Sequence, residues 1–450
     1  MTNNIVDVKI WDSNVGVLVW DKDKDIAIFE YEPSFIKSSL EIAPLVMPLR
    51  TAEGQRYIFP ENRNKCFKGL PGLIADSLPD AYGNQIIEDW FISKGIPGLE
   101  ITPLDRLCYV GKRAMGALEY SPAAFDAELE ASSVIEINIL TELAKKILNE
   151  REAFQVSLKN ADKKIIDILK VGTSAGGAKP KAIIAYNPKT KEVRSGQVKA
   201  PEGFGYYLLK FDGVENTKLS DNPMGIGNVE YAYYKMALDC GINMSESSLL
   251  SEGDYSHFMT KRFDRTDGGD KIHMQTLSAI AHMDRDIPQS YERAFQILRM
   301  LRLPAADISE LFRRMVFNVV ARNHDDHAKN HSFLMDKNGK WSLAPAYDLS
   351  FAYSEGGRWI GQHQMSVNGK RDKFDYNDLL IVGKRQNIPH PETIIDKTIE
   401  VVSQWRKYAK NAGVRPEHMN SIEKTHLLLS KPIVSQSKRA VSYTHLRAHE

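Results

Sequence analysis

Near the N-terminus apolar and polar positions alternate. Val6, Val8 and Ile10 take turns with polar partners, and Val15–Trp20 and Ile26–Tyr31 flank the turn-like run Asp21-Lys-Asp-Lys-Asp25, so residues 6–31 are predicted to be strands. A helix is predicted around Asn84–Lys94, after Gly69-Leu-Pro-Gly-Leu-Ile-Ala-Asp-Ser-Leu-Pro-Asp-Ala-Tyr-Gly83. Strand signal returns at Leu107–Val110 and Ala117–Tyr120. Residues 122–133 are acidic and Ala-rich, which marks a boundary, and a helix is predicted near Glu136–Asn149.

The pattern then changes. Gly172-Thr-Ser-Ala-Gly-Gly-Ala-Lys-Pro-Lys181 leads into a β-type run, Ala182–Tyr186, and Asn187-Pro-Lys-Thr-Lys191 reads as a turn. Tyr206–Lys210 is a short predicted strand with Lys210 at its end. Asn228 reads as the N-cap of a helix through Cys240, which Gly241 terminates. Phe258–Thr260 is a strand running into Lys261-Arg-Phe-Asp-Arg265. The order β, β, α, β shows no Rossmann-style alternation.

From about Asp267 the chain is mostly helical. Asp307 reads as an N-cap with Glu310 three residues on, as in a capping box. Ile308, Leu311, Phe312, Met315, Val316, Val319 and Val320 form one apolar stripe, and the helix ends just before Asn323. The polar run Asn323-His-Asp-Asp-His-Ala-Lys-Asn330 follows at its C-terminal end. Ser332–Met335 and Trp341–Ala344 are predicted strands around Asp336-Lys-Asn-Gly-Lys340, a hairpin that carries Asp348 back beside Asn330.

Composition narrows the class. The chain has 450 residues, 42% hydrophobic and 26% charged, with a formal net charge of +1. That length allows two or three domains at about 100–200 residues each. The near-zero charge gives no global field for nucleic acid or a membrane surface. Cys66, Cys108 and Cys240 show no CxxC spacing, which excludes a zinc ribbon or disulfide framework and suits a reducing cytosol. No signal peptide and no spanning stretch are visible, so a cytoplasmic protein is expected. Val441-Ser-Tyr-Thr-His-Leu-Arg-Ala-His-Glu450 resembles a translated sequencing adapter and is expected to be non-native; a genuine polar tail is the alternative.

These residues supply the parts that phosphoryl transfer needs. Asp325 and Asn330 stand at the Asp-x-x-x-x-Asn spacing of protein-kinase catalytic loops. Asp325 could hold or deprotonate a substrate hydroxyl. Asn330 and Asp348 offer hard oxygen ligands for Mg²⁺. Gly172, Gly176 and Gly177 let a backbone close over phosphates, with Lys179, Lys181, Lys210 and Lys329 adding charge. Glu230 could pair with Lys210. Taken singly, the glycine run also fits a surface loop, Lys210 a solvated strand end, and Glu230 a solvent-facing helix position. His324 and His327 also fit helix C-terminal caps. The set Asp325, Asn330 and Asp348 is hard to read as packing. Two other classes stay open: a metal-dependent phosphohydrolase suggested by His324-Asp325, and an inactive corepressor module.

His324-Asp-Asp-His-Ala-Lys-Asn330 with Ala344-Pro-Ala-Tyr-Asp348, Arg262-Phe-Asp-Arg265, the glycine-rich run and Leu78-Pro-Asp80 together resemble the HipA family of bacterial serine/threonine kinase toxins of type II toxin–antitoxin systems. The resemblance covers nearly all of residues 1–430. It implies an α+β, protein-kinase-like two-lobed fold: a β-rich N-terminal lobe with an extra N-terminal subdomain, and an all-helical C-terminal lobe. The implied divisions are 1–122, the N-terminal subdomain; 134–265, the ATP-binding small lobe; and 266–437, the catalytic lobe. Asp325 then matches the catalytic aspartate, and Asn330 and Asp348 the metal-binding residues. Ser174, Ala175, Gly176, Gly177, Lys181, Lys210, Arg262, Phe263, His327 and Lys329 fall around ATP, with Lys261-Arg-Phe263 at the hinge that receives adenine. The family commonly carries an acidic residue where Lys261 stands, which leaves that side chain's role open. Ser174 matches the autophosphorylated serine, with Thr173 adjacent as a substitute. The family also implies ATP and Mg²⁺ as cofactors, an aminoacyl-tRNA synthetase as substrate, and a small helix-turn-helix antitoxin that would make any DNA contact indirect.

Overall fold

The computed structural model describes residues 3–79, 81–123, 134–149, 168–169, 171–172, 180–214 and 224–431. Most of the expected boundary at 122–133, the adapter-like tail, Asp80 and residues 173–179 of the glycine-rich run lie outside the described residues.

The N-terminal region is an antiparallel sheet of β1 (Ile5–Ile10), β2 (Ser13–Asp21), β3 (Ile26–Tyr31), β4 (Arg56–Tyr57) and β5 (Leu118–Ser121), in the order β4-β3-β2-β1-β5. Val6, Val8 and Ile10 are buried on one face, as a period of two requires. Trp11 and Asp12, at φ 44° and 68°, make the tight turn between β1 and β2. Helix Ala81–Ser93, as expected from Asn84–Lys94, packs on helix Pro103–Val110, which in turn lies against β1 and β5. The expected strand Leu107–Val110 is instead the end of helix Pro103–Val110. Thr102 and Asp105 form a capping box around Pro103, and that start signal decides a four-residue apolar run whose period alone cannot separate strand from helix.

A second antiparallel sheet holds β6 (Lys181–Tyr186), β7 (Val193–Ser195), β8 (Gly205–Lys210), β9 (Ser247–Glu252) and β10 (Tyr255–Lys261), in the order β7-β6-β8-β10-β9. Helix Ile226–Asp239 lies against β10 and β9. Its N-cap is Gly225, not Asn228. The carboxylate of Asp212, just past β8, accepts the N–H groups of Gly225 and Ile226 at 2.8 and 3.1 Å, so the cap comes from a distant residue. Asn228 lies inside the helix and donates to Ala412 O at 2.7 Å.

The C-terminal region is mainly helical but not wholly so. β11 (His273–Thr276), β13 (Ser332–Met335) and β14 (Trp341–Leu343) form a small antiparallel sheet in the order β11-β13-β14, and β12 (Gln289–Ser290) pairs in parallel with β15 (Met365–Ser366). The hairpin β13–β14 needs a third strand to cover its edge, and β11 supplies it. Helix Ala305–Val320 starts after Pro304 rather than at an Asp307 cap. Pro304 fixes the entry, which releases Asp307 to accept the N–H of Leu343 at 3.0 Å and Glu310 to accept that of Asn243 at 3.0 Å. The seven stripe residues are buried, and so are Arg314, Phe317 and Asn318. This helix is therefore enclosed well beyond one face, a rigid root for the loop that follows it.

Candidate active site

Lys210 ends β8 inside the molecule, not in solvent. Its Nζ makes close ion pairs with Glu230 Oε1 on helix Ile226–Asp239 and with Asp348 Oδ1 beyond β14. Burial works against charge on Lys210, yet Asp348 and Glu230 outweigh it and hold its pKa above that of an ordinary lysine. Burial likewise opposes ionisation of Asp348, and the charges of Lys210 and Lys181 hold its carboxyl well below the usual range. Lys181 faces Lys210 directly across β6 and β8. Like charges at directly opposed positions are unfavourable. Their placement over two carboxylates turns this end of the sheet into a charge-balanced anchor that can also hold anionic oxygens.

Asp348 has φ 53°, an uncommon conformation for a residue with a Cβ. The side chain of Asn323 donates to Asp348 O at 3.2 Å and to Asn318 Oδ1 at 2.9 Å, so the loop that follows helix Ala305–Val320 holds the strained turn. The expected return of Asp348 by a hairpin is realised by β13 and β14, paired Phe333 to Leu343 and Met335 to Trp341. Asp336 Oδ1 accepts the N–H groups of Asn338 and Lys340, both at 2.9 Å, and closes the turn.

Asp325 is partly exposed in the same loop. Its Oδ1 accepts from Trp359 Nε1 at 2.9 Å and lies 3.8 Å from His327 Nε2. Asn330 donates to Asp325 O at 2.8 Å, which leaves its carboxamide oxygen as the atom that could meet a cation. Asn330 and Asp348 thus provide one neutral and one ionised oxygen donor. Such a sparse set suits Mg²⁺, which keeps waters and takes the rest of its shell from phosphates. Among the described residues no group of three or more His, Cys, Asp or Glu side chains could hold a metal, so the clustered histidines that a phosphohydrolase centre needs are not assembled there.

Among the other expected residues, Arg262 turns its side chain elsewhere. Arg262 is buried and its guanidinium is turned away into a bidentate pair with Asp264, at 2.8 and 2.7 Å. Asp264 also accepts from Arg265 and from the N–H of Gly116, at 2.9 and 2.7 Å, and so ties residues 262–265 to the N-terminal region. Arg262 can meet a nucleotide only through its backbone. Phe263 lies 5.6 Å from the Tyr347 ring, and Lys261 pairs with Asp267 at 2.7 Å. The Lys329 carbonyl accepts from Tyr347 at 2.6 Å. His324 is buried against Tyr353 and His363, whose rings lie at 4.9 and 4.0 Å, and burial first, then His363 and Arg322, lower its pKa to about 3. Ser174, Ala175, Gly176 and Gly177 lie outside the described residues.

Sequence reasoning missed Asp326. It is fully enclosed and accepts from Tyr291 at 3.0 Å, His363 at 2.9 Å and the N–H groups of Gln364 and Met365 at 2.8 and 3.3 Å. Burial opposes its charge, but His363 and these donors prevail and lower its pKa. Two adjacent aspartates in a turn point opposite ways, and no sequence signal says which faces the cleft. Trp359 carried no signal at all.

The fold is a mixed α+β fold, in which a lysine from the second sheet and a glutamate from the helix packed on it meet Asp348 beside the loop of Asp325. The comparisons with known proteins agree. Residues 6–121 match the HipA N-terminal domain and residues 173–426 the HipA-like C-terminal domain, and the chain belongs to the HipA family. A Haemophilus influenzae protein with a kinase name is 29% identical over 160 residues, 32% of this chain and 45% of its own length. The serine/threonine-protein kinase toxin HipA of Shewanella oneidensis is 23% identical over 198 residues, 39% of this chain and 42% of its own. The matched regions thus span less than half of these relatives. The solved structure of the Shewanella oneidensis HipA, HipB and operator DNA complex contains a chain that matches with a TM-score of 0.61 at 18% identity, over 93% of this chain and 94% of that one, which shows a shared fold.

Proposed function

We propose that this protein is an ATP- and Mg²⁺-dependent serine/threonine kinase. The observation that carries the reading is the Lys210–Glu230–Asp348 constellation, set beside the loop that presents Asp325 and Asn330. Lys210 and Lys181 would take α- and β-phosphate oxygens, and Asn330 and Asp348 would hold Mg²⁺, which neutralises charge on the transferring phosphate. Asp325 orients the acceptor hydroxyl and receives its proton as the oxygen bonds to the γ-phosphorus and the bond to ADP breaks. Phe263 and the backbone of residues 261–263 would receive adenine, with His327 and Lys329 on the loop side. The divisions 1–122, 134–265 and 266–437 then serve as N-terminal subdomain, ATP-binding lobe and catalytic lobe.

Family membership supports a reading of the biological role. The protein would act as a growth-inhibiting toxin in the cytoplasm, phosphorylating an aminoacyl-tRNA synthetase and held in check by a small helix-turn-helix antitoxin through which DNA contact is indirect. The solved relative whose title names HipA, HipB and operator DNA supports such a partner. No helix among the described residues is long and apolar enough to cross a membrane. Ser174 is the proposed autophosphorylation site, where a phosphate adds about −1.5 to −2 charges and would repel nucleotide. Mass spectrometry after incubation with MgATP is expected to find phosphate on Ser174, or on Thr173 beside it. An unmodified 172–181 segment removes the self-inactivation step.

A further inference from the structure

Trp359 offers more than its hydrogen bond to Asp325. Tryptophan is highly buried on average, yet this one is 40% exposed while its Nε1 donates to Asp325 Oδ1 at 2.9 Å. A second large apolar side chain, Ile287, is 57% exposed on the adjoining segment. The two segments are joined where the N–H of Gln289 donates to Gln364 O at 3.0 Å. The Arg285 guanidinium sits 6.0 Å from the centre of the Trp359 ring. Its charge is already paired with Asp286 at 3.3 Å, so the ring rather than the charge is what this surface presents.

The segment that carries the indole is built. The N–H of Gly357 donates to Ser354 O at 2.9 Å, and that of Gly361 to Gly357 O at 3.0 Å. A Cβ on residue 361 would lie 2.4 Å from Gly357 O, so this closure needs glycine there. Gln364 Nε2 donates to Trp359 O, and the N–H of Gln364 is held by Asp326 Oδ1 at 2.8 Å. The ring is therefore fixed at its root while much of its surface stays open to solvent. Scattered single apolar residues on a surface call for no explanation. An open indole bonded to the carboxylate that would face the acceptor hydroxyl is a different case.

We propose that Trp359, with Ile287 beside it, is a platform for an apolar side chain close in sequence to the serine or threonine that a polypeptide substrate presents to Asp325. The proposal rests on the kinase reading and gives it a substrate class. An extended chain advances about 3.3–3.6 Å per residue, so a side chain lying on this indole belongs within about two positions of the acceptor. An aliphatic or aromatic group there removes apolar area from water on both partners.

The test uses serine peptides that carry Leu, Ala, Glu or Lys at each position near the serine, and measures binding and transfer separately. Fluorescence anisotropy with the full chain is expected to show about five-fold tighter binding of the best Leu peptide than of its Ala counterpart. That is roughly the effect of half-burying one aliphatic side chain. Trp359→Phe keeps an aromatic face and loses the donor, so it is expected to hold the Leu preference within about two-fold of wild type while kcat falls. Trp359→Ala is expected to bind Leu and Ala peptides alike, and truncating so exposed a side chain spares the core. Equal binding of Leu and Ala peptides by the wild type at every position overturns the proposal. So does a Leu preference that survives Trp359→Ala. Loss of the preference in Trp359→Phe overturns it too, because the donor and not the ring is then responsible. A Glu or Lys peptide that binds as tightly as the best Leu peptide assigns the surface to charge and also overturns it. A Leu preference that Trp359→Ala removes, without transfer to any peptide, upholds the platform and refutes the kinase reading.

Discussion

At the scale of single residues, Asp325 depends on a partner far away in sequence. The Trp359 indole donates to the carboxylate that must face a hydroxyl, and its ring lies under Arg285. Trp359→Phe keeps the ring and removes the donor. It is expected to lower kcat about ten-fold or more, the lower end of the range for one hydrogen bond to a charged group, with the KM for ATP unchanged. Steady-state kinetics reads this, and an unchanged kcat contradicts a positioning role. The acidic and amide residues of the site were legible because their spacing is a chemical pattern. Arg262 shows the limit of such patterns. The same motif residue that suggests a ligand contact is spent on Asp264, and only the packing of residues 114–116 against the hinge reveals it.

At the scale of elements, the loop that carries Asp325 is rooted at its start and its middle. Helix Ala305–Val320 delivers it, and Asn318 reaches back to Asn323 and to Tyr291, with Nδ2 donating to the tyrosine oxygen at 2.9 Å. Asp326 ties its middle to the strand Met365–Ser366. Asp326→Ala leaves His363 and Tyr291 buried without their acceptor and is expected to cost about 3–5 kcal/mol, the range for breaking a buried charged pair. Chemical denaturation measures it, and a loss under about 1 kcal/mol contradicts the strut. Periodicity located strands and helices wherever local pattern and tertiary demand agreed, as in 6–31 and 308–320. It failed where a cap came from afar. Asp212 caps the helix that Asn228 was expected to start, and Pro304 replaces Asp307. The third strand beside the β13–β14 hairpin was not foreseen, because β11 has only four residues and its pairing spans the catalytic helix.

At the scale of the whole molecule, the core is studded with neutral histidines. Burial lowers the pKa of His273, His324 and His331 to about 3, and of His282 and His426 to about 4, from the ordinary 6.5. The unfolded chain binds protons at these sites from pH 6.5 downward while the folded chain does not, so stability falls as pH drops from 6.5 towards 4. The carboxyls of Asp264, Asp326 and Asp348 have lowered pKa values and add their own loss only below their unfolded value of 3.8. The Tm is therefore expected to decline steadily between pH 6.5 and 4, and a flat Tm across that window contradicts neutral buried histidines. The mixed α+β class was legible through the family motifs, which the sequence carries as short runs of fixed residues. How the N-terminal sheet docks on the hinge through Arg262, Asp264 and Arg265 was not, because such contacts join residues about 150 apart in the chain. The central claim is that Asp325 performs transfer in a site that Lys210, Asn330 and Asp348 assemble for MgATP. Asp325→Asn, measured for nucleotide affinity by calorimetry and for transfer of γ-phosphate to protein, decides it. The account predicts nucleotide binding close to wild type and transfer reduced by about a thousand-fold or more. Transfer at the wild-type rate in Asp325→Asn contradicts it.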